Sequence, residues 1–343
     1  VTFDWYNRTT SDILTTANLP ATLGADAPYE NMGTIQTKGW ELAIDYRHTF
    51  KNGLHFGVTA SVADDKTEVT KWTYNTKIPS YGATGWWDKS AYKEGMVLGD
   101  IWGLQFDRFL TEDDFNADGS LKAGLPDQTK VFPAGYQFAP GDVLYKDLDN
   151  NGEIVKQTNT NDKGDLSVIG NALPRLQFGL NLDAAWKGFD ISMFFQGVAK
   201  RKLWAAGNQV LPGFTTGEPF YKGAEDYWTP ENTDAFYPRP MDYKQSASGN
   251  YSVNDRYLLN MAYLRLKTFT VGYSLPKVWL SKFKVQGLRV YFTGENLFTI
   301  DGVKPAIDPE IGIRTASGKS DQRNFGRSYP YQKTVSFGIQ LSL

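Results

Sequence analysis

The sequence predicts an all-β fold in which antiparallel strands form the wall of a transmembrane β-barrel. Apolar and polar residues alternate along segments that recur through the whole chain, as they do in strands with one apolar face. Many of these segments are about as long as a bilayer is thick. Roughly 18 consecutive apolar residues would be needed for a spanning helix, and no run in the sequence approaches that length.

The first three predicted strands cover residues 1–6, 40–47 and 54–63. Their apolar faces carry Val1, Phe3 and Trp5, then Trp40, Leu42, Ile44 and Tyr46, then Leu54, Phe56, Val58, Ala60 and Val62. Each of these residues is followed by one that is polar, charged or small. The alternation therefore predicts strands with a single apolar face.

Two further strands, residues 175–186 and 189–196, are separated by the dipeptide Lys187-Gly188. Their apolar faces carry Leu176, Phe178, Leu180, Leu182, Ala184 and Trp186, then Phe189, Ile191, Met193 and Phe195. A two-residue connection that ends in glycine is typical of a β-hairpin. These strands are therefore predicted to be antiparallel neighbours.

The last three predicted strands cover residues 264–275, 288–293 and 333–343. In the first of them the apolar face shifts by one residue after Leu266, which predicts a β-bulge near Lys267 and Thr268. The last strand is the clearest, because its odd positions from 335 to 343 are all apolar and its even positions are small or polar.

Charged residues in the middle of these strands fall on the face opposite the apolar one. They are Arg47, Arg175, Asp183, Asp190, Arg265, Arg289 and Glu295. An Arg or Lys at the lipid midplane costs roughly 2–4 kcal/mol, so this segregation fits a sheet with one face in lipid. We expect these side chains to point inward and to form ion pairs and hydrogen bonds that line the lumen or hold a plug, in preference to direct contact with a substrate.

The predicted connections alternate between short and long. Residues 51–53 and 187–188 are tight turns, and residues 277–286 form a slightly longer link with a helical pattern. The long connections are residues 9–34, 64–174, 197–256 and 301–332. Short turns at one end and long loops at the other are the layout of outer-membrane barrels. The extended segment 98–110 is assigned to a long loop, since one more strand would break the up-and-down parity.

Composition excludes several classes of function. The net charge of -2 over 343 residues gives no basic field for nucleic acid. The absence of cysteine excludes disulfides, thiolate metal sites and cysteine nucleophiles. His48 and His55 flank one turn without a plausible serine or metal partner set. We therefore predict that the chain is not an enzyme.

Several short motifs follow one another along the chain. They are Tyr6-Asn7-Arg8, Asn31-Met32-Gly33, Lys38-Gly39-Trp40-Glu41, Tyr227-Trp228-Thr229-Pro230-Glu231-Asn232, Tyr237-Pro238-Arg239, Asn260-Met261-Ala262-Tyr263-Leu264-Arg265-Leu266-Lys267, Val271-Gly272-Tyr273-Ser274-Leu275-Pro276, Leu288-Arg289-Val290-Tyr291, Gly294-Glu295-Asn296-Leu297-Phe298 and Asp308-Pro309-Glu310. Together they resemble the SusC/RagA-type TonB-dependent outer-membrane transporters of Bacteroidetes. The sequence departs from that family at Leu343, where members usually end in an aromatic residue.

The resemblance implies that residues 1–343 are the C-terminal portion of a barrel of about 22 strands, with an N-terminal plug and the early strands outside this chain. It further implies a multi-pass protein of the bacterial outer membrane that imports a large nutrient, an oligosaccharide in preference to an oligopeptide. The implied partners are a SusD-like surface lipoprotein acting as a lid and the TonB–ExbB–ExbD complex acting through the plug.

Two other classes of protein remain open from the sequence. A passive porin or surface-scaffold barrel would share the strand pattern but would lack a plug. A secreted, soluble β-sandwich that binds glycans would also segregate its charges, although it would rarely place so many Trp and Phe residues on one face.

A candidate metal loop begins at residue 147. Asp147, Asp149 and Asn151 occupy positions one, three and five of a calcium-loop pattern, and Gly152 occupies position six. Position twelve is Thr158, where a bidentate Glu is needed. The alternatives are a bound Ca²⁺, with Asp162 or Asp165 completing the ligand set, and an Asx-rich surface turn. No other cofactor is predicted.

Aromatic residues crowd the long loops, where they could stack against sugar rings while carboxylates and amides bind hydroxyl groups. The predicted substrate-binding residues are Trp86, Trp87, Asp88, Trp102, Asp107, Trp204 and Asn208. The adjacent pair Trp86-Trp87 lies in a Gly-flanked polar segment with no obvious core role. The alternatives for each of these residues are loop packing, an interfacial girdle, or contact with a lid protein.

Overall fold

A computed structural model gives the fold of the chain. It describes residues 1–16, 28–73, 93–159, 162–205, 207–213, 220–241, 249–280, 285–304, 307–310 and 331–342. No helix among these residues is both long enough and apolar enough to cross a membrane.

Sixteen strands and one short helix make up the described part of the chain. In chain order the strands are β1 (Thr2–Thr16), β2 (Tyr29–Thr49), β3 (His55–Trp72), β4 (Asp100–Gly103), β5 (Phe106–Phe109), β6 (Val143–Tyr145), β7 (Lys156–Asn159), β8 (Asp162–Gly164), β9 (Ser167–Asn171), β10 (Arg175–Trp186), β11 (Phe189–Lys200), β12 (Lys202–Leu203), β13 (Leu259–Asn260), β14 (Tyr263–Ser274), β15 (Gly287–Asp301) and β16 (Thr334–Ser342). The helix α1 spans Lys277–Leu280, and Glu112–Asp114 form a 3₁₀ turn.

Eight strands form one antiparallel sheet in the order β1-β2-β3-β10-β11-β14-β15-β16. Each member pairs only with its neighbours in that series, which is the meander order of an up-and-down barrel wall. The eight strands of this sheet coincide with the eight predicted from alternation, so the predicted fold class is confirmed.

Strands β1, β2 and β3 continue well past the predicted ends. The segments 9–34 and 64–174 were predicted to be connections, but β1 runs to Thr16, β2 begins at Tyr29 and β3 runs to Trp72. Both faces of these extensions carry polar residues, as in the sequence Thr-Lys-Gly over residues 37–39. Apolar and polar residues alternate along a strand only where its two faces meet different surroundings. The predicted ends of these three strands were therefore wrong.

The short connections have the geometry that the sequence predicts. Gly53 in the first turn has φ +81°, and Lys187 and Gly188 in the second have φ +49° and +90°. Two successive residues with positive φ make a type I′ turn, whose twist matches that of the flanking strands. The third short connection contains α1, in line with its predicted helical pattern.

The predicted bulge in β14 is confirmed. Between β11 and β14 the partners step from Phe194–Thr268 to Phe195–Leu266, so that Lys267 is the extra residue. The β14–β15 ladder also shifts register between Leu266 and Thr268. The bulge moves the apolar side chains of β14 from one set of alternate positions to the other, as the sequence pattern requires.

The two faces of the large sheet differ in chemistry. On one face large apolar side chains point into open space, and the exposed fraction of Phe337 reaches 82%. On the other face polar groups pair across strands, for example the hydroxyl groups of Thr270 and Thr293 at 3.1 Å. Arg289 donates two hydrogen bonds to Asp190, at 3.0 and 2.5 Å. The apolar face is therefore suited to lipid and the polar face to the interior of a barrel.

Not every charged residue predicted to point inward finds an ionic partner. Arg175 pairs with Asp64 and Arg289 with Asp190. Arg265 joins a buried cluster described below, and Arg47 makes an exposed pair with Asp45. Within the described part of the chain, no ion pair is formed by Asp183 or Glu295.

Glycines on the polar face accommodate neighbouring aromatic rings. Gly338 lies opposite Tyr291, and a Cβ added at Gly338 would overlap the Tyr291 ring. Gly39 has the same relation to Tyr6. The absence of a side chain therefore lets the ring lie flat against the neighbouring strand.

Replacement of Gly338 by Ala is expected to lower the free energy of unfolding by roughly 1–3 kcal/mol, because the Tyr291 ring must move. Gly287→Ala in the same strand pair is the matched control, since its added Cβ would meet Ser342 Cβ at an ordinary 3.6 Å. Urea unfolding in detergent, followed by Trp fluorescence, measures both variants. Equal effects of the two substitutions would contradict the role assigned to Gly338.

Candidate functional site

The described residues of the two longest connections, 73–174 and 201–262, pack together into one unit, called here the loop body. The amide of Leu104 donates to Val253 O at 2.9 Å, and the hydroxyl of Tyr145 donates to Gly249 O at 2.8 Å. Four two-stranded sheets also belong to this unit, namely β4–β9, β5–β6, β7–β8 and β12–β13. The segment 98–110, predicted to be an extended part of a loop, supplies β4 and β5.

The buried apolar core of the described chain lies mainly in the loop body. One cluster is centred on Trp204, Leu211, Tyr257 and Met261. A second joins Leu104, Phe109, Val143, Tyr145, Ile154 and Trp228. The large sheet contributes little to either cluster, since its apolar face is turned outward. The loop body is thus a folded unit with its own core, attached to one end of the sheet.

Asp142 is the polar centre of the loop body. Its carboxylate is fully buried and accepts hydrogen bonds from Arg239 Nε at 2.8 Å, Tyr136 Oη at 2.9 Å and Asn250 Nδ2 at 3.0 Å. The amide of Ala139 donates to the same group at 2.9 Å. Because Arg239 and Asn250 come from the second connection and Asp142 from the first, this network holds the two connections together.

A second ion pair, between Arg108 and Asp114, closes the 3₁₀ turn of the loop body. Arg108 Nη1 and Nη2 donate to the two carboxylate oxygens of Asp114 at 2.6 and 2.7 Å. The amide of Thr111 donates to the same carboxylate at 2.8 Å. The hydrogen bonds from Arg108 lower the pKa of Asp114 and outweigh the opposing effect of burial.

The turn around Asp114 is therefore expected to weaken in acid. A carboxyl group with a lowered folded-state pKa stabilises the fold above its unfolded value, about 3.9, and loses this contribution as pH falls through the folded value. We expect the hydrogen-exchange protection of residues 108–115, corrected for intrinsic rates, to be constant from about pH 7 to 5 and to fall below about pH 4.

Asp114→Asn is expected to reduce that protection already at neutral pH, by about 1–2 kcal/mol, because the Asp114 carboxylate is mostly buried while Arg108 is partly solvated. Asp113→Asn is the control, since Asp113 is exposed beside it. Protection that is unchanged in Asp114→Asn and independent of pH would contradict the assignment.

The predicted metal loop has two of its three residues in a carboxylate cluster. Oxygen atoms of Asp147, Asp149 and Asp165 lie within 4.8 Å of one another. Asn151 instead donates to Asp149 and accepts from the amide of Glu153. The buried Asp165 accepts from the amides of Leu148 and Val155. A Ca²⁺ site formed by Asp147, Asp149 and Asn151 stays a prediction, with Asp165 the nearest further carboxylate.

The predicted substrate-binding residues are scattered. Trp86, Trp87 and Asp88 lie outside the described residues. Asp107 is exposed beside Arg108, and Trp102 is half-buried against the second core cluster. Trp204 and Asn208 are buried in the loop body, and this burial argues against their direct contact with a ligand. The structure does not bring the described members of this set together at one open surface.

An open cleft of about 590 Å³ lies elsewhere in the loop body. Its walls include Phe220, Tyr221, Tyr227, Pro238, Pro240 and Tyr251, which together are called here the aromatic cleft. Burial raises the pKa of Tyr237, which also lines the cleft, to about 12, and raises the pKa of Tyr251 well above its ordinary value. Both hydroxyl groups are therefore protonated at physiological pH and can donate hydrogen bonds.

The sequence carries an indication of this cleft, namely the aromatic and proline residues that lie close together in one long connection. Phe220, Tyr221 and Tyr227 belong to the aromatic-rich loops already noted, and Pro238 and Pro240 follow within the same connection. What the sequence could not show is that Tyr251, more than twenty residues after Tyr227, packs beside them.

Residues 307–310, in the connection between β15 and β16, lie against β14 and contribute to a buried ionic cluster. Arg265 is only 3% exposed. Its Nη2 donates to Asp308 Oδ1 at 2.6 Å, and its Nη1 lies 3.2 Å from Glu310 Oε2. Lys267 Nζ donates to the same Glu310 oxygen at 2.6 Å. Burial, the largest single effect, would raise the pKa of Asp308, but the hydrogen bond and charge of Arg265, together with hydrogen bonds from the amides of Glu310 and Tyr331, outweigh it and hold that pKa below its ordinary value.

The sequence was compared with family models and with known proteins. No family model matches the sequence. The chain is 27% identical over 353 residues to TonB-dependent receptor P3 of Formosa agariphila, across 99% of this chain and 32% of that receptor. It is 22% identical over 349 residues to TonB-dependent receptor SusC of Bacteroides thetaiotaomicron, across 99% of this chain and 29% of that receptor. Over almost its whole length the chain is therefore similar to TonB-dependent receptors of the SusC/RagA type.

Solved structures agree with this assignment at the level of the fold. A structure of the RagAB peptide transporter superimposes with a TM-score of 0.67 at 20% identity, covering 99% of this chain and 32% of that one. A structure of the RagAB peptide importer in its open-open state gives the same values. The eight-stranded sheet and the loop body thus correspond to part of a RagA barrel.

The chain spans about a third of the length of the relatives that it matches. Those relatives are receptors rather than enzymes, which confirms the prediction that the chain has no catalytic role.

Proposed function

We propose that this receptor segment is the C-terminal part, residues 1–343, of the barrel of a TonB-dependent importer in the bacterial outer membrane. The observation that carries the proposal is the division of the large sheet between an exposed apolar face and a polar, ion-paired face. A wall of this kind is stable when lipid covers one face and an aqueous or protein-filled interior meets the other. The whole-length similarity to TonB-dependent receptors supports it.

The loop body occupies the end of the wall that carries the long connections. In an outer-membrane barrel the long loops face outward and the short turns face the periplasm. We infer that the loop body is the extracellular part of the segment and that a SusD-like lipoprotein closes over it as a lid. The solved relatives are named as RagAB complexes, which fits a receptor that works with a second protein.

The energy for import would come from TonB–ExbB–ExbD acting on a plug domain, as in a barrel of about 22 strands. The plug is expected in the two thirds of the protein to which this chain does not correspond. The cargo is a nutrient too large for porins, an oligosaccharide or an oligopeptide.

The test uses the full-length receptor that contains this chain, expressed in a host that lacks its own SusC-type receptors. Uptake of a panel of fluorescent oligosaccharides and peptides too large for porins is compared with and without a tonB deletion. We expect uptake of at least one panel member, with its loss when TonB is absent. Uptake that is equal in both strains would contradict active import and would favour the passive porin.

A further inference from the structure

We propose that the aromatic cleft binds an extended oligopeptide by an apolar side chain, with the Tyr251 hydroxyl donating to the peptide backbone. This inference rests on the proposed function, because it assigns a chemical class to the cargo that the receptor captures. It concerns a different part of the loop body from the substrate-binding residues that the sequence predicted.

The walls of the cleft are suited to an apolar side chain. Phe220 is 56% exposed and Tyr227 is 40% exposed, and neither belongs to the two core clusters. Pro238 and Pro240 add rigid apolar surface without a backbone donor. Aromatic rings held open to solvent in a concave site usually mark a place where a ligand replaces water. The volume of about 590 Å³ is that of an ordinary ligand pocket.

The inner part of the cleft offers one hydrogen-bond donor. Tyr251 is only 4% exposed, and its hydroxyl group makes no hydrogen bond within the described part of the chain. By contrast, the neighbouring Tyr257 donates to Phe236 O at 3.3 Å and Tyr237 to Val210 O at 3.0 Å. A tyrosine hydroxyl group in the wall of the cleft that is not bonded within the described protein can donate to a ligand. A peptide carbonyl group fits this donor.

Charged groups at the cleft favour a peptide over a neutral sugar. Lys222 and Glu225 both line the cleft and are exposed, and no ion pair involves either of them in the described residues. Opposite charges of this kind complement the charged side chains or termini of a peptide. A neutral oligosaccharide needs several polar groups aimed at its ring hydroxyls, whereas the cleft offers mainly aromatic and proline surface.

Two substitutions test the assignment in the full-length receptor in detergent. Tyr251→Phe removes only the unpaired hydroxyl, and Phe220→Ala removes an exposed ring, so the fold should tolerate both. Tyr257→Phe is the matched control, because it removes a tyrosine hydroxyl that is satisfied within the loop body. The probes are a tryptic digest of casein, with bound peptides identified by mass spectrometry, and maltoheptaose as the sugar.

We expect the wild-type receptor to retain casein peptides that contain aromatic or aliphatic residues and not to retain maltoheptaose in this cleft. Tyr251→Phe and Phe220→Ala should each reduce the retained peptide roughly 3- to 10-fold, the effect of one lost hydrogen bond or contact. Tyr257→Phe should bind as the wild type does.

Three results would overturn the inference. The first is that the wild-type receptor binds no peptide, and the second is that all variants bind peptide equally. The third is that Tyr251→Phe and Phe220→Ala lose binding of maltoheptaose or of the lid protein while their peptide binding is unchanged. The result is separable from the proposed function, because TonB-dependent uptake can persist when the cleft assignment fails, and peptide binding can persist when uptake proves passive.

Discussion

Replacement of Arg265 by Met is expected to destabilise the packing of residues 307–310 against β14 by roughly 3–5 kcal/mol. The substitution removes the guanidinium group that pairs with Asp308 and Glu310 and leaves two carboxylates in a site with almost no access to water. Lys267 can still pair with Glu310, but nothing replaces the hydrogen bond to Asp308. A buried charge without its partner is among the most destabilising changes that a single substitution can make.

Hydrogen exchange of residues 307–310 and 331 in the full-length receptor measures the effect. Arg47→Met is the matched control, because Arg47 pairs with Asp45 in solvent, where an ion pair contributes less than about 1 kcal/mol. We expect Arg265→Met to expose the segment and Arg47→Met to leave it protected. Equal protection in both variants would show that the ionic cluster does not hold this connection.

Replacement of Asp142 by Ala is expected to loosen the whole loop body, with a loss of about 3–5 kcal/mol. Asp142 accepts from Arg239, Tyr136, Asn250 and Ala139, and its removal strands the Arg239 guanidinium in a half-buried position. The two long connections meet at this carboxylate. Its loss should therefore release them from each other while the large sheet stays folded.

Limited proteolysis separates these two responses. We expect new cleavage sites within residues 93–159 and 249–262 in Asp142→Ala, and an intact fragment pattern for the strands of the large sheet. Asp113→Ala, at an exposed carboxylate of the same connection, should be cleaved as the wild type is. Resistance of Asp142→Ala to protease would mean that the apolar clusters alone hold the loop body together.

The large sheet was predictable because lipid and interior impose opposite demands on its two faces. The run from Val335 to Leu341 predicts strand β16, and the shift in face after Leu266 predicts the bulge in β14; the structure contains both. Where β1, β2 and β3 extend past that zone, polar residues lie on both faces. Alternation then carries no signal, and the extensions could not be recognised.

The loop body was not predictable in the same way, because its contacts join residues far apart in the chain. Asp142 and Asn250 are separated by 108 residues, and Tyr145 and Gly249 by 104. Strands as short as β4 and β9 contain too few residues for an alternation of apolar and polar side chains to be recognised. For the same reason the sequence predicts Trp204 to be a ligand-binding residue, although it is buried. An aromatic residue in a polar loop does not by itself indicate that the loop has a hydrophobic core.

The central claim is that the apolar face of the large sheet meets lipid. The chain contains no cysteine, so Ile339→Cys and Gln340→Cys in the full-length receptor place a fluorescent label on opposite faces of β16 without background from this segment. In lipid vesicles, we expect doxyl-labelled lipids to quench the label at 339 and not the label at 340. Failure of doxyl-labelled lipids to quench the label at 339, with both labels open to aqueous iodide, would contradict the membrane wall and the importer with it.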